Sequence, residues 1–460
     1  MTEQFKEQGG VATMDPSPMV RWITSRVIRK LVNPNHLEKA RRAAERERVK
    51  QGGAHCVEYF HQVDDAYSHL AAQALRPLLQ HYNIELVCHL VNGPSGNNLP
   101  EPELLPRLSL RDASLVSSHY GLDFPSNASL PDSELIARAN AVLANVSAGN
   151  FPEAAVAVGE AIFGESARVS LAALEEKYGA ANSAETEQQL GCGNSRRAEL
   201  KHYSGGMFYY AGEWYWGVDR LYHLENRLHS LGAVQDMQKQ LLFPRPEIEA
   251  GPNKDNGSLT LEIYASLRSP YTALVFDRAV QLASDTGVSM VLRPVLPMVM
   301  RGVSLSRQKG LYIFADASRE ARALGVEFGK FSDPIGSPVR RCYSLFAWAE
   351  SQGKRVELTS SFLKAAFAQG INTNTDKGQR TVVERVGLSW DEAKKIIGND
   401  DWQEELEKNR LAMYDFDCWG VPGFRLLDAN GDTVLGLWGQ DRLWLISRKI
   451  QEILAKQKES

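Results

Sequence analysis

The pattern Trp-Gly-x-Asp-Arg-Leu occurs twice in this chain, at Trp216–Leu221 and again at Trp438–Leu443. Each copy follows a hairpin-like stretch and runs into a segment with helical periodicity. A match of this kind at the same place in two halves predicts two related domains. The length of 460 residues agrees with this prediction, because one domain ordinarily spans ~100–200 residues.

Each half also opens in the same way. An apolar, β-prone run, Cys56–Val63 or Leu259–Leu267, precedes a turn and a long helical segment, and a second apolar run, Ile84–Val91 or Val288–Val295, follows. A strand, helix and strand in this order require a parallel pair with a right-handed crossover. We therefore predict an α/β fold in which each half contains the opening of a thioredoxin-like sheet.

A helical insertion is predicted in the middle of each half. Helical periodicity covers Ser133–Val146, Glu153–Tyr178, Ala317–Phe328, Val339–Gln352 and Ser361–Gln369. We place a disordered leader and basic helical arm at 1–53, the first domain at 54–232, a linker at 233–257 and the second domain at 258–455. The Gly-, Pro- and Asn-rich composition near residues 249–257 is typical of a linker.

The arm between Arg21 and Lys50 is strongly basic, with ten Lys or Arg residues against three Glu. Its first part places Val20, Ile23 and Val27 at helical spacing, which predicts an amphipathic helix. Two interpretations stay open. The helix docks on the protein body with a solvated basic face, or it makes peripheral contact with an anionic membrane surface or nucleic acid.

The overall charge points away from nucleic acid as the main partner. The formal net charge is −4 and the sequence pI is about 6.2, so no global attraction to phosphate is expected. A small-molecule substrate, a protein partner or a second copy in a homodimer remains open. No apolar run approaches the ~18–20 residues that span a bilayer, and the N-terminus lacks a signal-peptide h-region. We expect a cytoplasmic protein.

The cysteines exclude a dithiol site. Five are present, far apart and without a Cys-x-x-Cys pair, which argues against a zinc ribbon and against a disulfide framework. The histidines of the first half match no metal-ligand spacing, so no metal site is predicted.

Several separated motifs follow one another along the second half. They are Ser269-Pro-Tyr271, Arg293–Pro297, Lys309 with Tyr312, Gly420–Phe424 and Trp438–Leu443. Together they resemble the DsbA-like thioredoxin superfamily, specifically its branch of 2-hydroxychromene-2-carboxylate isomerases and kappa-class glutathione transferases. The resemblance implies two DsbA-like domains, glutathione as the cofactor, and isomerisation or conjugation of a small electrophile, with aromatic electrophiles among the candidates.

Ser269 is the candidate catalytic residue. It falls at a strand-to-helix junction, where unpaired N–H groups and the positive end of the helix favour an anion, and its hydroxyl can donate to a thiolate. The resemblance implies that Ser269 stabilises the ionised sulfur of bound glutathione. The alternative is a serine that only caps the helix.

The resemblance also assigns candidate ligand-binding residues. It implies that Pro422 is a cis proline facing Ser269 and that the backbone of Val421 pairs with glutathione. The other candidates for cofactor binding are Pro270, Tyr271, Lys309, Gln440 and Asp441. Alternatives remain for them: Pro422 as a turn proline, Lys309 on the surface, and Asp441 as a helix cap, since Asp219 occupies the same place in the first half.

The first half departs from this pattern at the ligand positions. Asp65-Ala66 replaces Ser269-Pro270, and Ser204–Gly206 replaces Gly420–Pro422, so the hydroxyl and the proline are both missing. We interpret the first half as a degenerate copy. Two other functions are considered for the chain: thiol–disulfide exchange, which the missing Cys-x-x-Cys pair disfavours, and a non-catalytic binding scaffold.

Overall fold

The computed structural model of the protein describes residues 14–236, 240–303 and 305–459, and the chain divides into two compact units. One unit runs from Glu38 to Pro246. The other combines the described residues up to Leu37 with the chain from Glu247 onward. The first thirteen residues of the predicted disordered leader lie outside the described residues. In the described ranges no helix is both long and apolar enough to cross a bilayer.

Two helices open the described chain. Helix α1 spans Pro18–Leu31, and Ser17 caps it by accepting from the Val20 N–H at 3.4 Å. Helix α2 spans Pro34–Gln51. Proline suits the first position of both helices because its missing N–H would have no partner there. Helix α1 confirms the predicted amphipathic helix. This helix belongs to the unit that contains the C-terminal half, whereas the arm was predicted as a separate segment.

The unit Glu38–Pro246 is built on a four-stranded sheet with the order β2-β1-β3-β4. Strand β1 pairs parallel with β2 and antiparallel with β3. After α2, the elements are β1 His55–His61, α3 Ala66–His81, β2 Ile84–Leu90, α4 Leu104–Ser117, α5 Ser133–Asn145, α6 Phe151–Phe163, α7 Ala167–Tyr178, α8 Ser183–Glu199, β3 Met207–Tyr210, β4 Glu213–Trp216 and α9 Leu221–Ser230.

The second unit contains a sheet of the same design, with the order β6-β5-β7-β8. Strand β5 again pairs parallel with the following strand and antiparallel with β7. Its elements are β5 Thr260–Ala265, α10 Pro270–Thr286, β6 Ser289–Pro294, α11 Arg307–Leu324, α12 Ser337–Tyr343, α13 Phe346–Ser351, α14 Arg355–Leu363, α15 Asp376–Glu384, α16 Trp390–Ile396, α17 Trp402–Tyr414, β7 Gly423–Leu427, β8 Thr433–Trp438 and α18 Leu443–Glu459.

The predicted α/β class and its two sheets with helical insertions are confirmed. The helix boundaries within the insertions differ from those that the helical periodicity predicts. The segment predicted as helical over Glu153–Tyr178 is two helices, because α6 ends where Gly164 adopts an extended conformation. Likewise the stretch Val339–Gln352 is divided between α12 and α13, and Ser361–Gln369 ends in a π-helical turn over Lys364–Gln369.

One buried carboxylate joins three strands of the second sheet. Glu262 on β5 is 1% exposed and accepts from Arg293 on β6 at 2.8 Å, from Arg425 on β7 at 2.6 Å and from the Tyr264 hydroxyl at 2.9 Å. Burial alone would raise the pKa of Glu262, but these hydrogen bonds hold it below its ordinary value. The carboxylate therefore stays ionised and fixes the strands relative to each other.

The first sheet repeats this arrangement. Glu58 on β1 accepts from Arg196 at 2.7 Å and from His89 on β2 at 2.9 Å. Burial opposes ionisation, yet hydrogen bonds from Arg196 and His89 lower the pKa of Glu58 to about 2. Each sheet thus contains a paired glutamate in its second strand from the edge.

A buried tyrosine connects the ends of β5 and β6. The Tyr343 hydroxyl accepts from the Leu267 N–H at 3.2 Å and donates to the Val295 carbonyl at 3.1 Å. Leu267 and Val295 follow their strands directly, and Ser269 lies two residues beyond Leu267. Tyr343 therefore holds the edge of the sheet at which Ser269 enters α10.

We expect Tyr343→Phe to lower the free energy of unfolding by about 1–3 kcal/mol, because it leaves a buried N–H and a buried carbonyl without this partner. Urea denaturation followed by circular dichroism measures the loss. Tyr178→Phe is the matched control, since the half-buried Tyr178 hydroxyl makes no hydrogen bond to any residue in the described ranges. Equal stabilities for the two variants would contradict the role given to Tyr343.

Candidate functional site

Ser269 begins helix α10. Its backbone is extended, with φ −87° and ψ 119°, and its Oγ accepts from the Thr272 N–H at 3.1 Å. Pro270 occupies the first helical position, where no N–H is needed. The capping task predicted as the alternative is therefore present. It leaves the hydroxyl hydrogen available to a second partner, because the cap uses only an oxygen lone pair.

That second partner is the loop before β7. The Ser269 hydroxyl donates to the Val421 carbonyl at 3.3 Å, and the Val421–Pro422 peptide bond is cis. The chain thus brings together two motifs that are far apart in sequence, and the cis geometry implied by the resemblance is confirmed. At 3.3 Å the hydrogen bond is long for an O–H donor, so an anionic acceptor competes for it readily.

Packing fixes the shape of this loop. The Cys418 thiol donates to the Gly420 carbonyl at 3.2 Å, and Cys418 is buried in a cluster with Tyr264, Val295, Met413 and Phe416. The Trp438 indole approaches Gly420 so closely that a Cβ there would lie 2.7 Å from its ring. Residue 420 must therefore be glycine, and Cys418 is a packed core residue.

Thr272 is a second hydroxyl that the sequence analysis does not single out. It follows Ser269 at the spacing of a Cys-x-x-Cys pair and is 1% exposed. Its Oγ1 has no hydrogen-bond partner among the described residues. Two hydroxyls therefore occupy the positions that a dithiol pair would take, and the spacing was the signal that could have identified Thr272.

Helix α11 supports the site through two buried carboxylates. Asp316 accepts from the Tyr271 hydroxyl at 2.8 Å, and Glu320 accepts from the Gln440 side-chain amide at 2.7 Å. Gln440 itself is 1% exposed. Through these hydrogen bonds Tyr271 attaches α11 to the first turn of α10, and Gln440 attaches α11 to the turn after β8. Neither carboxylate could be recognised from the sequence, because each looks like an ordinary helical acid.

Lys309 lies in the first turn of the same helix. Ser306 caps this turn by accepting from the Lys309 N–H at 3.2 Å, and the lysine side chain is half-buried. Burial lowers the pKa of Lys309 to about 8. Seven residues separate Lys309 from Asp316, so both fall on one face of α11. Lys309 is therefore on the side of α11 that meets Tyr271.

The turn after β8 adjoins the proline loop. The Gly439 N–H donates to the Pro422 carbonyl at 3.0 Å. The Asp441 carboxylate lies 3.5 Å from the Arg442 guanidinium and is 21% exposed. Helix α18 begins at Leu443, two residues later than the predicted start at Asp441. Asp441 thus belongs to the turn beside Pro422.

The first unit has the same frame with different chemistry at its centre. The Tyr67 hydroxyl donates to Asp112 at 2.8 Å, as that of Tyr271 does to Asp316. The Gly217 N–H donates to the Gly206 carbonyl at 2.8 Å, as that of Gly439 does to Pro422.

At the position of Ser269 the first unit has Asp65. Its carboxylate accepts from the Ser68 N–H at 2.9 Å and lies against Gly206, where a Cβ would be 2.9 Å from its Oδ2. Burial raises the pKa of Asp65 to about 6. A carboxylate in this position repels a thiolate once it ionises.

Comparison with protein families agrees with the second sheet and its cis-proline loop. The model of the DSBA-like thioredoxin domain matches residues 260–451. Residues 260–451 are a DSBA-like thioredoxin domain. The matched range begins with β5 and ends within α18, so the DSBA-like domain contains all eight predicted site residues.

Solved structures with DsbA-like folds are similar to the chain. A 2-hydroxychromene-2-carboxylate isomerase is 18% identical with a TM-score of 0.37, covering 44% of this chain and 98% of its own. A probable DsbA oxidoreductase from Streptomyces coelicolor is 18% identical, with a TM-score of 0.34, covering 42% and 89%. The cytosolic disulfide reductase DsbM from Pseudomonas aeruginosa is 15% identical, with a TM-score of 0.33, covering 44% and 100%. No curated protein matches the sequence.

The DSBA-like domain assembles the predicted residues to different degrees. Ser269, Val421 and Pro422 meet directly, whereas Tyr271 and Gln440 are connected through α11. In the part of the chain that the structure describes, no group of three His, Cys, Asp or Glu side chains could hold a metal ion.

Lys309 gives the DSBA-like domain a testable pH dependence. Burial lowers its pKa from 10.5 to about 8, so the unfolded chain binds more protons between these pH values. The free energy of unfolding, relative to Lys309→Met, should therefore rise as pH increases from about 8 to 10.5. Urea denaturation of both proteins at several pH values measures this difference. A difference that stays flat or falls across the window would contradict the buried state of Lys309.

Proposed function

We propose that the DSBA-like domain binds glutathione at Ser269 and uses it on a small electrophilic substrate, as an isomerase or a transferase. One observation carries the proposal. The Ser269 hydroxyl lies at the start of α10 and faces the Val421–Pro422 loop. Thr272 occupies the second position of the Cys-x-x-Cys spacing, so neither position has a thiol that could form a disulfide. Aromatic electrophiles are the first substrates to examine.

Ser269 suits the sulfur of glutathione. Helix α10 is 17 residues long, and the positive end of its dipole stabilises an anion beside its first turn. The hydroxyl needs only to turn its hydrogen from the Val421 carbonyl toward the sulfur. A hydrogen bond to a charged acceptor contributes about 1.5–3 kcal/mol, more than the long bond that it replaces. The thiolate is thereby favoured over the thiol.

Val421 suits the peptide part of glutathione. Its N–H makes no hydrogen bond to any residue within the described ranges, and its carbonyl accepts only from Ser269 there. An extended peptide placed along the loop would pair with both groups, as a short added strand does. Lys309 and Asp441 offer a positive and a negative charge for the carboxylates and the ammonium of the tripeptide.

The chain's own residues then have separate tasks. When bound, glutathione supplies a nucleophilic sulfur, which is regenerated after isomerisation and remains attached to the substrate carbon after conjugation. Ser269 holds the sulfur ionised, the Val421 backbone orients the tripeptide, and α11 holds Tyr271 and Gln440 in place. No proton has to be taken from the sulfur during the reaction, because Ser269 and the helix end already favour the ionised form.

Thiol–disulfide exchange has less support. In the described parts of the chain all five cysteines are free, and Cys418 and Cys342 of the second unit are buried. Burial raises the pKa of the Cys342 thiol far above its ordinary value, which makes it a poor nucleophile. Neither cysteine is at the start of α10, where such chemistry requires a thiol.

Isothermal titration with reduced glutathione and S-methylglutathione tests the proposal. The wild-type protein should bind both, and the ultraviolet absorbance of the thiolate should show a lowered pKa for the sulfur of reduced glutathione. Ser269→Ala should weaken binding of reduced glutathione by roughly 10–100-fold at neutral pH, because one hydrogen bond to a charged sulfur is lost. It should leave S-methylglutathione binding nearly unchanged.

The matched control is Ser389→Ala. Ser389 also caps a helix, α16, and accepts from the Glu392 N–H at 3.4 Å. Both substitutions should cost about 1 kcal/mol of stability as lost caps, but only the first should affect glutathione. Wild-type protein that binds neither ligand would overturn the proposal and favour a non-catalytic scaffold.

A further inference from the structure

Helix α1 presents all of its large apolar side chains except Ile28 to solvent. The exposed fractions run from 37% for Leu31 to 61% for Trp22 and 71% for Met19. The exposed apolar residues of this helix are Met19, Val20, Trp22, Ile23, Val27 and Leu31. They recur at helical spacing and therefore form one continuous surface, here called the apolar face of α1.

The helix docks on its unit mainly through polar contacts, with Ile28 as the buried apolar residue of the docking side. Ser25 Oγ accepts from the Asp333 N–H at 2.9 Å, and Arg29 Nε donates to the Phe331 carbonyl at 2.6 Å. The Asp333 carboxylate in turn accepts from Arg268 at 3.0 Å. Ser25 is buried, whereas the apolar residues on the other side of the helix are exposed.

A further polar anchor precedes the helix. Asp15 forms an ion pair with the buried Arg21 and a second one, at 2.7 Å, with Arg340. Beyond the helix, Ser318 donates to the Val32 carbonyl at 3.1 Å. These contacts fix α1 on the body in one orientation, with its apolar face outward.

This orientation is the reverse of the usual one. A helix on the surface of a globular protein ordinarily buries its apolar stripe and exposes its polar side. Exposed contiguous apolar surface marks a place where something else binds. The apolar face of α1 therefore requires an explanation beyond packing of the unit itself.

The charges around the face indicate what binds there. Arg26, Arg29 and Lys30 are exposed on the same helix, and no Asp or Glu occurs between Pro16 and Leu37. The Arg26 guanidinium lies over the Trp22 ring, 5.3 Å from its centroid. Apolar side chains with tryptophan among them, accompanied on the same helix by cations and by no acidic residue, suit the boundary between acyl chains and anionic headgroups.

We propose that α1 is a membrane-binding helix that lies in the interfacial plane of a bilayer with anionic headgroups. Its 14 residues extend about 21 Å, far too short to span the hydrocarbon core but long enough to lie along its surface. The apolar face enters the acyl boundary while Arg26 and Lys30 contact phosphates. The polar anchors hold the unit to which α1 belongs in one fixed orientation relative to the helix.

A second copy of the chain fits this surface less well. One face of a 14-residue helix offers much less than the ~800 Å² per partner of a stable interface. A twofold contact would also bring the cations of two helices together with no acidic residue of α1 between them. Nucleic acid would use the cations but would leave the apolar face exposed.

Co-sedimentation of the full-length protein with lipid vesicles tests the proposal. We expect binding to vesicles of phosphatidylcholine and phosphatidylglycerol in equal parts, weaker binding to phosphatidylcholine alone, and release by salt. Combined Trp22→Glu and Val27→Glu substitutions should abolish binding, and since both side chains are exposed, the melting temperature should stay unchanged. Arg26→Ala should weaken binding to the anionic vesicles roughly fivefold and leave phosphatidylcholine binding unaffected.

Val169→Glu is the matched control. Val169 is 74% exposed on α7, so the substitution places one negative charge on an accessible apolar residue outside the face, as Val27→Glu does within it. Vesicle binding that survives the Trp22 and Val27 substitutions, or is absent in the wild type, would overturn the proposal. So would a dimer in sedimentation velocity that Val27→Glu dissociates, or binding to duplex DNA without binding to vesicles.

Discussion

The candidate site depends on the ionised carboxylate of Glu262. It lies on β5 and pairs with arginines from β6 and β7, so one buried charge sets the spacing of three strands. Ser269 follows the first of these strands and the cis proline precedes the third. A buried carboxylate is stable only while its partners remain, because an unpaired charge in the interior costs several kcal/mol. The distance between Ser269 and Val421 therefore rests on an ion cluster on β5 and its two neighbours.

The two units keep a common frame while their centres differ. In both, a tyrosine in the first helical turn binds an aspartate 45 residues later, and a glycine N–H closes the loop that faces the helix start. The frame does not need the hydroxyl or the proline ring, since the Ser269 hydroxyl makes neither contact and Pro422 contributes only its backbone carbonyl, as Gly206 does. This independence explains physically how Asp65 and Gly206 can occupy the central positions of the first unit without loss of the sheet.

Much of the fold could be predicted from the sequence. Strands β1, β2, β5 and β6 lie within two residues of the predicted runs because short buried strands leave a clear apolar signal. The position of Ser269 at the start of α10 could be predicted because a strand-to-helix serine is a local pattern, whereas the cis bond before Pro422 was implied only by the family resemblance. Asp316 and Glu320 could not, since their roles depend on which helix packs beside α10, and no local pattern encodes that choice. The same limit applies to α1: periodicity predicts its amphipathic character but not which side meets the body.

Asp333 connects two features that the sequence keeps far apart. Its backbone N–H holds Ser25 of α1, and its side chain holds Arg268, the residue immediately before Ser269. A force that lifts α1 from the body acts on the same residue that restrains the loop leading into α10. The protein therefore has a short mechanical linkage, one residue long, through which the position of its first helix can alter the alignment of Ser269.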